Sequence, residues 1–328
     1  MAAPAATPEL TMERVRAAQD TLRLVVPESR FLASVKLSRK GGGWVYLKLE
    51  SEGPTGSFKV RGAYHAIDVR QKQMNGKLPG VVTSSTGNHG AAVAYAAFMQ
   101  HVPARIYLPE NPNPAKKARI ADFGAEIVEV GEFLEETRQH AAKFAEEYGW
   151  YDVVDGSEPE MLPGTATIAC EILDKLQHVD VFFVPVGDST LIRGFAFAAK
   201  QLRPGVKIVG VQAERAPAYA LSFAQGRAIC VDSSDTIADG LSVRNTTEEN
   251  VREIATLVDE FVLVSEEEML SAMRHLLMQE HVLAEPAGAA TTAAFLKSET
   301  KYTRKMAVLL VTGSNVTEEL LVRALQTP

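Results

Sequence analysis

The stretch SEGPTGSFKVRG, residues 51–62, contains one lysine, Lys59, which lies between two apolar residues and follows a Pro-Thr-Gly-Ser turn. Nucleotide-binding phosphate loops need Gly-Lys-Ser/Thr in consecutive order, whereas residues 56–59 read Gly-Ser-Phe-Lys, so we exclude that motif. Two interpretations remain at this point. Lys59 is a solvated surface lysine, as most lysines are, or it is a partly buried amine that serves as a nucleophile or base.

The composition restricts the class of protein. The chain has 328 residues, of which 46% are hydrophobic and 23% are charged, as in globular proteins with one large or two modest domains. Its net charge of −7 argues against a nucleic-acid or anionic-membrane surface. Two cysteines without a CxxC motif suit a reducing compartment. We find no 18-residue apolar run and no secretory signal, so we expect a cytoplasmic protein without a membrane span.

Short apolar runs alternate with segments of helical periodicity along most of the chain. The predicted strands are 44–50, 80–85, 104–109, 126–130, 180–186, 207–213, 261–265 and 306–313. The predicted helices are 87–100, 114–124, 132–148, 190–202 and 266–280. This alternation predicts an α/β fold whose parallel strands are buried on both faces. Ligands of such folds bind at the carboxyl ends of the strands, so the strand-to-helix turns are the candidate sites.

The turn TSSTGNHG, residues 83–90, follows one predicted strand and precedes a helix. It carries several polar side chains, those of Ser84, Ser85, Thr86, Asn88 and His89. Free N–H groups and the helix dipole attract an anion such as a carboxylate to a helix N-terminus. Helix capping needs only one hydroxyl. The excess of polar groups therefore favours an anion site over capping alone.

Two further strand-to-helix turns carry weaker signals. In PVGDSTLIRG, residues 185–194, the hydroxyls of Ser189 and Thr190 could donate to an anion, but Asp188 would repel a phosphate unless it points away. Helix capping explains this turn equally well. In LLVTGSNV, residues 309–316, Thr312 alone cannot be told from a cap.

Taken in this order, the motifs PTGSFKVRG, SSTGNHG, TIADGL, EPAGAA and TGSN resemble those of the fold-type-II pyridoxal-phosphate enzymes, the tryptophan-synthase-β-like superfamily. The chain is most similar to the threonine/serine dehydratase and serine racemase branch, from about residue 20 to the end. The resemblance implies two doubly wound parallel-sheet domains with the active site in the cleft between them. It implies a large coenzyme-binding domain of residues 1–71 plus 158–328, a small mobile substrate domain of residues 72–157, and a homodimer.

The resemblance also implies coenzyme contacts. Lys59 would form the Schiff base with pyridoxal 5'-phosphate and remove the Cα proton of the substrate, and Phe58 would lie beside it in the coenzyme site. Asn88 would bond the 3'-oxygen of the pyridine ring, and Thr312 would face the ring nitrogen. The phosphate would be held by the backbone N–H groups of Gly187, Asp188, Ser189, Thr190 and Leu191.

The substrate site follows from the same resemblance. The substrate carboxylate would bind at the residues Ser84, Ser85, Thr86, Asn88 and His89. Thr86 stands where serine racemases carry the serine that protonates the second face of the substrate, so we count it as catalytic. Arg138 aligns with an arginine that meets a second substrate carboxylate in the racemase branch. Its other interpretation is a solvated arginine paired with Glu135 on a helix face.

Two departures from the family pattern are informative. The phosphate loop of dehydratases is usually a run of four glycines, of which only Gly187 remains here. The racemase-type metal site uses an aspartate and a glutamate, and the aligned positions are Gln212 and Ala218. These two side chains supply no charged oxygen ligand, so we predict no metal there.

The function that the resemblance implies is β-elimination on a β-hydroxy amino acid of the serine or threonine type, giving a 2-keto acid and ammonia. Three alternatives stay open: a dehydratase acting on 3-hydroxyaspartate, a β- or γ-replacement enzyme of the threonine-synthase type, and a coenzyme-binding protein without activity. The expected partner is a small amino-acid substrate.

Overall fold

The computed structural model describes residues 9–85, 87–112, 114–298 and 300–327, and in these ranges two β-sheets are flanked by helices. The strands are β1 Phe31–Ala33, β2 Val45–Leu49, β3 Val81–Ser84, β4 Ala104–Leu108, β5 Glu126–Glu129, β6 Tyr151–Asp152, β7 Val181–Pro185, β8 Lys207–Ala213, β9 Glu260–Val264 and β10 Ala307–Val311.

The first seven helices are α1 Met12–Leu22, α2 Val35–Gly41, α3 Lys59–Gln73, α4 Asn88–Met99, α5 Pro114–Ala121, α6 Leu134–Tyr148 and α7 Met161–Lys175. The others are α8 Thr190–Leu202, α9 Ala218–Gln225, α10 Glu248–Leu257, α11 Glu266–Glu280, α12 Pro286–Lys297 and α13 Glu318–Gln326. Two short 3₁₀ turns cover Glu50–Glu52 and Asp239–Leu241. None of the helices in the described ranges has the length and apolar character needed to span a bilayer.

The larger sheet has the strand order β1-β2-β10-β7-β8-β9, and all its pairings are parallel except that of β1 with β2. Successive side chains of a strand point to opposite faces, and helices cover both faces here. Phe182 of β7 packs edge-on against Phe195 of α8, with ring centroids 5.0 Å apart. Its neighbour Phe183 packs against Phe295 of α12 on the other face, at 5.9 Å. This two-sided burial explains why the strands read as continuous apolar runs.

The smaller sheet has the order β5-β4-β3-β6 and is parallel throughout. Val81 of β3 packs with α3 and α4 on one face, whereas Val82 faces α6 on the other. The strands of this sheet all fall within the predicted small domain. The predicted boundary after residue 71 lies inside α3, so the helix runs across it, and the division and mobility of the domains stay predictions.

Every strand and helix predicted from periodicity is present, with ends that differ by up to three residues. The two short strands β1 and β6 were not predicted, and neither were several helices, among them α3, α7 and α12. Helix α12 is buried almost all round, so its sequence lacks the one-sided apolar periodicity that marks a surface helix.

Candidate active site

A cavity of about 300 Å³ lies where carboxyl ends of strands from both sheets meet. The adjacent strands β2, β10 and β7 bring Lys59, Thr312 and the turn after Val186 to it, and β3 brings the turn that precedes α4. Parallel strands end at one edge of their sheet, so turns that are far apart in sequence become neighbours. The structure therefore gathers the other three predicted turns around the lysine of the first turn.

Lys59 begins α3 and is only 7% exposed, which excludes the surface interpretation. Gly56 takes a left-handed conformation (φ +68°) in the turn that aims the lysine into the cavity. Lys59 Nζ donates to both carboxylate oxygens of Asp155, at 2.8 and 2.6 Å, and to Asp188. Burial by itself lowers the pKa of Lys59, but these two carboxylates raise it above its usual value. The apolar residues that flank Lys59 in the sequence favour a neutral amine, but in this arrangement the carboxylates outweigh them.

Asp155 is the principal site residue that the sequence analysis missed. It lies in the irregular segment between β6 and α7, and no motif or periodicity marks it. Burial and the charge of Asp188 raise the pKa of Asp155. Burial alone would also raise the pKa of Asp188, but the ammonium of Lys59 lowers it well below its usual range. The pKa values of the two carboxyl groups are therefore shifted in opposite directions, although both groups contact the same lysine.

The turn that leads into α8 fits a phosphate group. Gly187 lies so close to Gly240 that a Cβ at this position would come within 2.1 Å of the Gly240 carbonyl oxygen. Ser189 has a left-handed backbone (φ +81°), and its buried hydroxyl makes no regular hydrogen bond within the described residues, although Tyr219 lies near it. The first N–H groups of a helix have no partner inside it, and those of α8 face the cavity that Leu191 also lines.

Asp188 partly occupies this anion site itself. Its Oδ1 accepts a hydrogen bond of 2.9 Å from the backbone N–H of Thr190. That N–H was predicted to bind the coenzyme phosphate, and it becomes available only if the Asp188 carboxylate turns away. The turn thus suits a phosphate, with Asp188 as a competitor for one of its donors.

This competition predicts that Asp188→Gly strengthens binding of the coenzyme phosphate about 10-fold or more, which corresponds to about 1.4 kcal/mol. The probe is pyridoxine 5'-phosphate, which lacks the aldehyde and so reports on the phosphate site independently of Lys59, and the measurement is titration calorimetry. Asp188→Asn is the matched control, because it removes the charge and keeps the size. An unchanged or weakened affinity in both variants would show that Asp188 does not compete.

Asn88 and Thr312 lie at the cavity wall, and their predicted coenzyme contacts stay predictions. The side-chain N–H of Asn88 donates to Glu285 at 2.7 Å, and its amide oxygen accepts from Asn315 at 2.5 Å. Thr312 is buried at the end of β10, and its carbonyl accepts from the N–H of Phe58. Glu285 and Asn315 belong to the motifs EPAGAA and TGSN. The sequence motifs therefore mark both residues, although the resemblance assigns neither of them a role.

The predicted substrate residues divide into three groups. Thr86 lies outside the described residues. Ser84, Ser85 and His89 line the cavity; the hydroxyl of Ser84 is buried without a hydrogen bond in the described ranges, and that of Ser85 accepts from the N–H of Gly87 at 3.3 Å. Arg138 also lines the cavity, but it is 53% exposed and lies 3.7 Å from Glu135, the partner expected in its structural interpretation.

Gln212 has a structural role. Its amide nitrogen donates to the carbonyl of Val186 at 3.2 Å, and its oxygen accepts from the N–H of Ala220 at 2.8 Å. The first bond joins β8 to the segment after β7, and the second joins β8 to the start of α9. In the part of the chain that the structure describes, no group of three or more His, Cys, Asp or Glu side chains has a metal-binding arrangement.

Known proteins resemble this chain over most of its length. A family model described as "Pyridoxal-phosphate dependent enzyme" matches residues 25–313. An L-threonine ammonia-lyase of Thermotoga maritima is 36% identical over 314 residues, covering 96% of this chain and 78% of that protein. A catabolic L-threonine dehydratase of Staphylococcus aureus is 37% identical, covering 92% and 88%. The solved structure of maize serine racemase has a TM-score of 0.89 at 28% identity and covers 96% of each chain.

Proposed function

The chain belongs to the family of pyridoxal-phosphate-dependent enzymes, and from this premise we propose that it is an ammonia-lyase. It removes water from a β-hydroxy amino acid of the serine or threonine type and releases a 2-keto acid and ammonia. The observation that carries the proposal is the burial of Lys59 at the ends of three adjacent strands. Relatives that cover most of the chain and are named for this reaction support it.

When bound, pyridoxal phosphate supplies the electron sink for the charge that develops at the substrate Cα. The residues of the chain supply binding and proton transfer. The N-terminus of α4 binds the substrate carboxylate, where the helix dipole and free N–H groups favour an anion. Lys59 Nζ, once neutral, takes the proton from Cα. In the balanced reaction the Cα–H and Cβ–O bonds break, water leaves, and hydrolysis then releases ammonia.

A β-hydroxy amino acid with a second carboxylate, of the 3-hydroxyaspartate type, is the second candidate substrate. Two guanidinium groups line the cavity, those of Arg119 and Arg138, and either could pair with such a carboxylate. Against it, Asp155 and Asp188 place negative charge around Lys59. Serine and threonine carry no such charge, so we place them first.

A keto-acid assay tests the proposal. We expect L-serine or L-threonine to give 2-keto acid and ammonia in equal amounts without an added nucleophile. L-Alanine, which has no β leaving group, is the matched control and gives neither. Product that forms only when a second nucleophile is added would indicate a replacement enzyme. A coenzyme band without any product from L-serine, L-threonine or 3-hydroxyaspartate would indicate a binding protein without lyase activity.

We also propose a cytoplasmic location. Cys170 is a buried free thiol and Cys230 an exposed one, which suits a reducing compartment. The homodimer implied by the resemblance stays a prediction, and sedimentation of the purified protein tests it.

A further inference from the structure

The imidazole of His89 is held in one orientation inside the protein. It is 3% exposed, and its Nε2 lies 2.7 Å from the carbonyl oxygen of Val153. A carbonyl only accepts hydrogen bonds, so Nε2 carries the hydrogen, and in the neutral form of the ring Nδ1 is then a bare acceptor. This Nδ1 is buried and has no hydrogen-bond partner in the described ranges.

The bare nitrogen of His89 faces Asp155. Its distance to Asp155 Oδ1 is 3.8 Å, and the same oxygen lies 2.8 Å from Lys59 Nζ. One carboxylate oxygen therefore stands between the amine and the imidazole. A shift of about 1 Å brings the oxygen within hydrogen-bond distance of Nδ1.

Lys59 needs such a partner if the proposed function is right. Its ammonium is held between two carboxylates, yet only the neutral amine can attach the coenzyme or take the Cα proton. Among the described residues, the ionisable groups that contact this amine or its partners are Asp155, Asp188, His89 and Tyr219, whose hydroxyl lies 3.4 Å from the carbonyl oxygen of Asp188. Of the two carboxyl groups, Asp155 is the better placed proton acceptor, because it faces His89 Nδ1, whereas Asp188 Oδ1 already accepts from the N–H of Thr190.

We propose that Asp155 and His89 form a proton relay that takes the ammonium proton of Lys59. This inference rests on the proposed function. In the first step the proton passes from Lys59 Nζ to Asp155 Oδ1, which leaves a neutral amine and a carboxylic acid. In the second step it passes from Asp155 to His89 Nδ1, which restores the carboxylate beside an imidazolium. Asp155 acts on the reacting amine directly, and His89 is a positioning residue that acts through Asp155.

The first test uses coenzyme-free protein and follows covalent attachment of pyridoxal 5'-phosphate by absorbance as a function of pH. Attachment needs the neutral amine, so its rate rises with pH through the pKa of Lys59. Asp155→Asn removes one of the two charges that raise this pKa, and we expect the midpoint to move about one to three pH units lower. Asp155→Glu keeps the charge and should restore most of the wild-type midpoint. An unmoved midpoint in Asp155→Asn would overturn the proposal.

The second test asks whether His89 acts through Asp155. The probe is L-alanine in D₂O with the holoenzyme, because loss of its α-proton NMR signal reports Cα deprotonation without any elimination. We expect Asp155→Asn to slow this exchange about 10²- to 10⁴-fold. His89→Gln, which can still donate to the Val153 carbonyl, should slow it about 10-fold in the wild-type background and not further in Asp155→Asn. If His89 has only a structural role, His89→Gln should slow the exchange by the same factor in both backgrounds, because independent effects add in free energy.

The two proposals fail in different ways. If the wild type exchanges the alanine proton but forms no keto acid from serine or threonine, the lyase proposal falls, and the exchange data still decide the relay. If keto acid forms but the rate losses of Asp155→Asn and His89→Gln multiply in the double variant, the relay proposal is contradicted and the lyase proposal is retained.

Discussion

Replacing Lys59 by alanine is expected to abolish both the coenzyme absorbance band and the formation of keto acid. The amine is the group that attaches the coenzyme, and loss of a positioned base alone lowers the rate about 10²- to 10⁴-fold. The measurement combines an absorbance spectrum after gel filtration with the keto-acid assay on L-threonine. A variant that keeps the band and the turnover would remove Lys59 from the site.

The matched control is Lys59→Arg. Alanine at this position leaves Asp155 and Asp188 side by side without a cation, so the alanine variant could lose activity through local misfolding. Arginine keeps a cation between the two carboxylates but cannot attach the coenzyme, because its guanidinium stays protonated. We expect the arginine variant to unfold at the wild-type denaturant concentration and to be equally inactive. Activity in this variant would contradict the assignment.

We expect substitution of Arg61, two residues from Lys59, to have a large effect on the free energy of unfolding. It is 1% exposed, and its guanidinium binds Glu50 (Nε–Oε2 2.7 Å) and Glu171 (Nη1–Oε1 2.5 Å). Removing one partner of a buried ion pair leaves uncompensated buried charge, which costs about 3–5 kcal/mol. We therefore expect Arg61→Met to lower the free energy of unfolding by about that amount, measured by urea titration of coenzyme-free protein.

Arg30→Met is the matched control for Arg61→Met. Arg30 forms a similar pair with Glu52 at 2.6 Å, but it is 55% exposed. Water screens such a pair, so we expect a loss of less than about 1 kcal/mol. Equal losses in the two variants would mean that burial is not what makes Arg61 important.

The effect of Arg61→Met should also depend on pH. Burial alone would raise the pKa of Glu50, but Arg61 and Lys48 lower it below its usual value. A lowered folded-state pKa contributes stability above the unfolded-state pKa, and this contribution is lost as pH falls through the folded-state value. The difference in stability between wild type and Arg61→Met should therefore narrow in acid.

Much of the fold was predictable because the information is local. An apolar run such as 307–311 between polar turns indicates a strand that is buried on both faces, and the alternation with helices indicates parallel sheets. Helix α12 was missed for the opposite reason, since its small apolar residues face neighbours on all sides and show no period. The edge strand β1 has only three residues, too few for a pattern.

The site was predictable in part. Lys59, Asn88 and Thr312 lie in the sequence motifs that carry the family resemblance. The structure brings all three residues to one cavity. The protonation of Lys59 was not predictable. Its flanks are apolar and favour a neutral amine, but the groups that outweigh them, Asp155 and Asp188, are 96 and 129 residues away along the chain.

The sequence by itself determined the strand and helix order, the lysine that defines the family and the turns that surround it. Only the tertiary structure decided which charges meet that lysine, that the Asp188 carboxylate accepts from the N–H of Thr190 at the start of α8, and that Nδ1 of His89 faces Asp155. The physical reason is that secondary structure follows side-chain patterns within a few residues. Electrostatic interactions depend on distance in space, and only the packing of the two sheets and their helices sets those distances.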